Sequence, residues 1–127
     1  MAIHVRIEVN VATAVLTCEG RNSADDVCSA LDQLIRHPDF KRGMDAIAVV
    51  EQGASLDLTA TDVRAVAEFA RSREQQRGSD YKLAFVVAGD ADFGMTSMYA
   101  SWSVGLAREA QVFRSLADAR VWIAERE

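Results

Sequence analysis

A chain of 127 residues, half of them apolar, is long enough to bury one sizeable core and too short for two ordinary domains. Its net charge of -5 and pI near 5.0 work against a nucleic-acid partner, since such binders carry a basic face or stripe. No apolar run approaches the roughly 20 residues of a membrane helix, and the N-terminal residues alternate without a basic-then-apolar leader, so neither membrane insertion nor export is expected and the chain reads as cytoplasmic.

The alternation Ile3, Val5, Ile7, Val9 against His4, Arg6, Glu8 has the two-residue period of a strand with one wet face. Asn10 to Ala12 connect it to a second run, Thr13 to Glu19, rich in β-branched residues and closed by Gly20, so the chain should open with a hairpin. Asn22 or Ser23 can cap a first helix whose opening acids, Asp25 and Asp26, suit its positive end. Val27, Leu31, Leu34 and Ile35 form its apolar stripe, and His37-Pro38 forces it to stop near Arg36.

Ala46 to Val50 is continuously apolar, as expected of a central strand covered on both faces. Thr59 or Thr61 then caps a second helix carrying Val63, Val66, Ala67 and Ala70 and running toward Gly78. Leu83 to Ala88 repeats the buried-strand pattern, and Gly89 to Asp92 opens a third helix with the stripe Met95, Met98, Tyr99, Trp102 and Leu106. A short strand, Gln111 to Arg114, leads into a last helix capped by Ser115, with Asp118 three residues on. The order β-β-α-β-α-β-α-β-α predicts an α/β domain with a mixed, mostly parallel five-stranded sheet, antiparallel only at its first strand, and about four helices.

The candidate chemistry is thin. Cys18 and Cys28 lack a Cys-x-x-Cys spacing and read as reduced, buried side chains; no spacing gathers His4 or His37 with them, so no metal and no cofactor are expected. Ser55, Thr59 and Thr61 sit where a phosphate would meet free helix amides, but capping explains the threonines, and Asp57 and Asp62 would repel the added charge. Met95, Met98, Tyr99 and Trp102 could line a ligand pocket or partner groove, although their spacing is also that of a core stripe. Glu51, Asp90 and Asp92 fall at the strand ends where parallel sheets bind ligands, yet they suit turns and caps as well, and no nucleophile and base stand at an interpretable spacing. Arg71, Arg73 and Arg77, interleaved with Glu68 and Glu74, read as a solvated mixed face and less well as a docking patch for an acidic partner.

The hairpin ending in Glu19-Gly20, the segment His37-Pro38-Asp39-Phe40, the opening Asp92-Phe93-Gly94-Met95, and the run Val112 to Ala119 with Trp122-Ile123 together resemble the SpoIIAA-like family, relatives of the STAS domain of anti-sigma factor antagonists and sulfate transporter tails. The likeness spans nearly the whole chain. It implies a small domain that binds other proteins, or in some branches small ligands or lipids, without catalysis. Regulatory members carry a phosphorylatable serine in an Asp-Ser-Ser-Gly segment at the second helix; Ser55 to Asp62 lacks that motif, which removes support for the phosphoswitch.

The leading expectation is a non-enzymatic protein-interaction or regulatory module using the loop Gln52 to Asp62 and the third helix, its partner unnamed. A homodimer is the second partner expectation, because the outer hairpin strand leaves an edge that another copy could cover. The rival is a carrier of a small apolar ligand or lipid that uses the third-helix face, Met95 to Trp102, as its pocket wall, and it would show an internal apolar cavity where an interaction module would show a filled core. A hydrolase or transferase using Asp90 and Asp92 is the third reading.

Overall fold

The computed structural model describes residues 2–51, 53–56, 58–87 and 109–125. Strands β1 (Ala2–Glu8) and β2 (Thr13–Glu19) form the expected antiparallel hairpin, Glu8 facing Thr13 at the tip and Ala2 facing Glu19 at the open end. Strand β1 stops one residue before the alternation does, because Val9–Val11 tighten into a single 3-10 turn that leaves Val9 63% and Val11 56% exposed. Ala12 closes that turn at φ +48, a left-handed conformation that a residue with a Cβ adopts at a cost.

After β2 a two-residue strand, β3 (Arg21–Asn22), pairs in parallel with β5 (Ser55–Leu56), a second small ladder that the apolar pattern does not reveal. Asn22 is fully buried there, its amide nitrogen donating to the carbonyls of Glu19 and Gly20 at 3.2 and 3.4 Å. The capping of helix α1 (Ala24–Arg36) falls to Ser23. Its hydroxyl accepts from the Asp26 amide, and the Asp26 carboxylate accepts from the Ser23 amide. Helix α2 (Ala60–Ser72) repeats the device with Thr59 and Asp62, then breaks at Arg73 before a single turn, α3 (Glu74–Arg77).

Strands β4 (Asp45–Val50), β6 (Lys82–Val87) and β7 (Glu109–Phe113) complete one sheet of order β1-β2-β4-β6-β7, parallel throughout except at β1. Strand β4 is central, and its alternation divides the core. Ala46, Ala48 and Val50 face α1 and α2, while Ile47 and Val49 face Ala119 and Ile123 of helix α4 (Leu116–Ala124).

Helix α4 is held at its start by a cap, at its middle by an ion pair and at its end by a buried lysine. Ser115 caps its start, and Arg120 reaches back to Glu8 on β1 with two bonds of 2.7 and 3.0 Å. That pairing, aided by Arg6, holds the Glu8 carboxyl down at about 2. At the C-terminal end Lys82, only 4% exposed, donates its ammonium to the carbonyls of Trp122 at 2.7 Å and Glu125 at 2.8 Å, so a lysine from the sheet adds a charged donor where the Trp122 carbonyl has only a 3.3 Å backbone bond from the Glu125 amide. Its backbone N–H donates to Asp45 Oδ1, which explains why β4 begins at an acid ahead of the apolar run.

Candidate functional site

Between the sheet and the α1–α2 pair lies a cavity of about 130 Å³. It exists because small side chains meet there. Ala46 and Ala48 stand on the central strand, Ala30 and Cys28 on α1, and Ala70 on α2, where longer residues would have filled the gap. Helix α2 contributes by leaning chiefly on α1 instead of settling onto the sheet. Along β4 the lining runs from Ala46 to Val50, four strand steps of about 3.3 Å, so the space follows the strand for roughly 13 Å.

Toward Val50 the wall is apolar, with Ile3, Val27 and Leu58 joined by Cys18. Burial pushes the Cys18 thiol up to about 11, and the half-buried Cys28 thiol is raised by burial and by the charges of Asp25 and Asp32. Both thiols are free and protonated at neutral pH, hence weak nucleophiles and plain wall atoms.

The opposite end is polar. Arg77 is 4% exposed, and its guanidinium carbon lies 3.6 Å from the centre of the Tyr81 ring and 5.7 Å from that of Phe40. Burial raises the Tyr81 hydroxyl; Arg77 draws it down and Glu74 pushes it up, which places both charges within its field. The arginine is held from behind as well. Its carbonyl accepts from the Gly43 amide at 2.8 Å, and the next residue, Gly78, sits at φ +86 so close to Gly43 that a Cβ there would come within 2.7 Å of the Gly43 nitrogen.

Arg77 corrects the expectation of a solvated arginine face. Arg71 is exposed as expected, but Arg73 is half-buried, bound to Asp32 at 3.0 Å and stacked 4.3 Å over Phe69, and Arg77 is interior. The reason is the break at Arg73, which turns α3 inward so that charges spaced as a surface stripe fall in different environments. Of the rings that receive Arg77, Phe40 is too distant in sequence for local patterning to reveal, and Tyr81, though near in sequence, lies beyond the turn at Gly78 that ends α3.

The other candidates are not gathered into one site. Thr59 is the helix cap, its hydroxyl accepting from the Asp62 amide at 3.1 Å, and Thr61 is exposed on the first turn. Ser55 lies in β5 opposite Arg21, while Gln52 and Asp57 lie outside the described residues. So do Asp90, Asp92, Met95, Met98, Tyr99 and Trp102, together with the expected third helix. Glu51 is exposed, its amide donating to the Cys18 carbonyl. His4 pairs with Glu19 at 3.1 Å on the surface, and His37 Nδ1 accepts from the Asp39 amide. No cluster of three metal-ligating side chains occurs among the described residues.

A protein of the DUF3478 family from Shewanella loihica PV-4, described as uncharacterized with a SpoIIAA-like fold, is similar over 97% of this chain and 93% of its own, with a TM-score of 0.60 and 14% identity. This chain therefore has the SpoIIAA-like fold that the motifs imply; at that identity the likeness speaks to fold alone. No family model matches the chain, and no curated protein matches it. No helix among the described residues is long and apolar enough to cross a membrane.

Proposed function

From the SpoIIAA-like fold as premise, we propose that this chain is a non-catalytic binding module that takes a small, mainly apolar molecule into the cavity between β4 and the α1–α2 pair. The carrying observation is the cavity itself, an apolar space of about 130 Å³ in a core that an interaction module would fill. Interior apolar cavities near that size, about 150 Å³, stay dry and accept benzene. The protonated thiols favour retention over reaction, and two free cysteines suit a cytoplasmic setting.

The test is titration of the intact chain with benzene and hexan-1-ol, followed by methyl NMR signals of Ala46, Ala48 and Val50. Saturable shifts confined to that wall support the proposal. Absence of any shift up to the solubility limit of both probes sinks it.

Pairing with a protein, including a second copy, is the second reading. It is favoured by the exposed valines at the hairpin tip and by β1 as an edge strand. Sedimentation showing only monomer at high micromolar concentration removes the self-pairing form of it.

A further inference from the structure

We infer that the cavity takes a slender, uncharged molecule with one terminal oxygen, a short primary alcohol being the simplest, whose oxygen accepts from the Tyr81 hydroxyl while its alkyl chain lies along β4 toward Cys18 and Val50. This rests on the cavity-binding reading above and names the ligand class.

Tyr81, Leu83 and Phe85 line the space from alternate positions leading into and along β6, and Leu83 pairs with Ala46. The Tyr81 ring therefore stands at the Ala46 end of the slot, where it is only 7% exposed. Buried tyrosines ordinarily find a partner for the hydroxyl. Among the described residues this one has none, since burial and the charges of Arg77 and Glu74 act on its titration and no hydrogen bond does. Burial raises the group, so it keeps its proton at neutral pH and has a hydrogen to donate. A ligand oxygen placed there satisfies it without breaking an existing bond.

The charges at that end favour a neutral ligand. Arg77 and Glu74 line it together with opposite signs, so an anion meets its like in Glu74 and a cation meets its like in Arg77. Either ion would also leave its water behind on entering. The run of lining from Ala46 to Val50 suits a straight chain, which an alcohol brings without a charge.

The experiment is isothermal titration of the intact chain at pH 7 with pentan-1-ol, 1-chloropentane, pentanoate and pentylamine, repeated with Tyr81→Phe, which keeps the ring that Arg77 stacks on. Pentan-1-ol should bind tighter than either ion. The variant should weaken pentan-1-ol about fivefold, the worth of one hydrogen bond, and leave 1-chloropentane level. Its ligand-free thermal midpoint should be no lower than that of the wild type, because the hydroxyl supports nothing until a ligand arrives. An unchanged pentanol-to-chloropentane ratio in Tyr81→Phe, an ion binding tighter than pentan-1-ol, or a lowered midpoint in the ligand-free variant overturns this inference and leaves the cavity reading standing. Failure of all four probes to bind overturns both.

Discussion

Replacing Lys82 with methionine isolates what one interior cation contributes to the last helix. Methionine keeps most of the stem's volume and removes the ammonium that donates to the Trp122 and Glu125 carbonyls at 2.7 and 2.8 Å. Hydrogen bonds from a charged donor contribute about 1.5–3 kcal/mol each, and a cation at a helix C-terminus adds about 0.5–1 kcal/mol. Against this stands the cost of keeping an ammonium 4% exposed, which the variant recovers. Of the two carbonyls left behind, that of Trp122 keeps only the long 3.3 Å bond from the Glu125 amide among the backbone donors of the helix end, so the balance should be a loss of about 2 kcal/mol. In urea, at slopes of about 1–3 kcal/mol/M, that lowers the midpoint by roughly 1 M. Hydrogen exchange of the amides in the last turn of α4 should accelerate together with it. A midpoint unchanged within about 0.3 M, where the slope predicts roughly 1 M, would refute the capping argument and mean that water serves those carbonyls equally well.

Gly78→Ala should cost about 2 kcal/mol or more, since φ +86 with ψ 168 is a glycine conformation and the new methyl would strike the Gly43 backbone; thermal melts against wild type measure it. Ala12→Gly should raise stability by about 0.5 kcal/mol, the relief of left-handed strain less the entropy glycine adds to the unfolded chain, and a loss in the same melts would contradict it. Glu8, with its carboxyl at about 2 against an ordinary 4.5, stabilises the fold through Arg120 fully above pH 4.5, and that contribution disappears as pH falls toward 2. Because the pair is partly exposed the effect should be about 1 kcal/mol, and Glu8→Gln should flatten that part of the stability-versus-pH curve; an equal acid slope in the variant would count against the pair.

The periodic features of the chain were readable in advance because they are local. Thr13 to Glu19 is a strand with the expected bounds, Ser23, Thr59 and Ser115 are the caps their side chains suit, and Pro38 ends α1 at Arg36. What escaped depends on residues that meet across the fold. The cavity is one case: Ala46 and Ala48 look like ordinary strand residues until α2 leans away from them, and the only advance signal was small residues in a central strand. Lys82 and Arg77 are another, since charges count as solvent-facing in any local pattern, and the partners that make their burial tolerable, the Trp122 carbonyl for one and the Phe40 and Tyr81 rings for the other, come together only in the fold. The β3–β5 ladder escaped because two residues are too few to show a period.

The order of strands across the main sheet is also their order along the chain. During synthesis each strand can thus be added to the growing rim as it leaves the ribosome, and none has to wedge between two that are already bonded. The hairpin supplies a starting template whose closure spans few residues, and every later step closes one crossover of modest length. The exposed rim that invites mispairing should therefore advance from β2 to β7 as translation proceeds, leaving β1 as the fixed border from the first step onward.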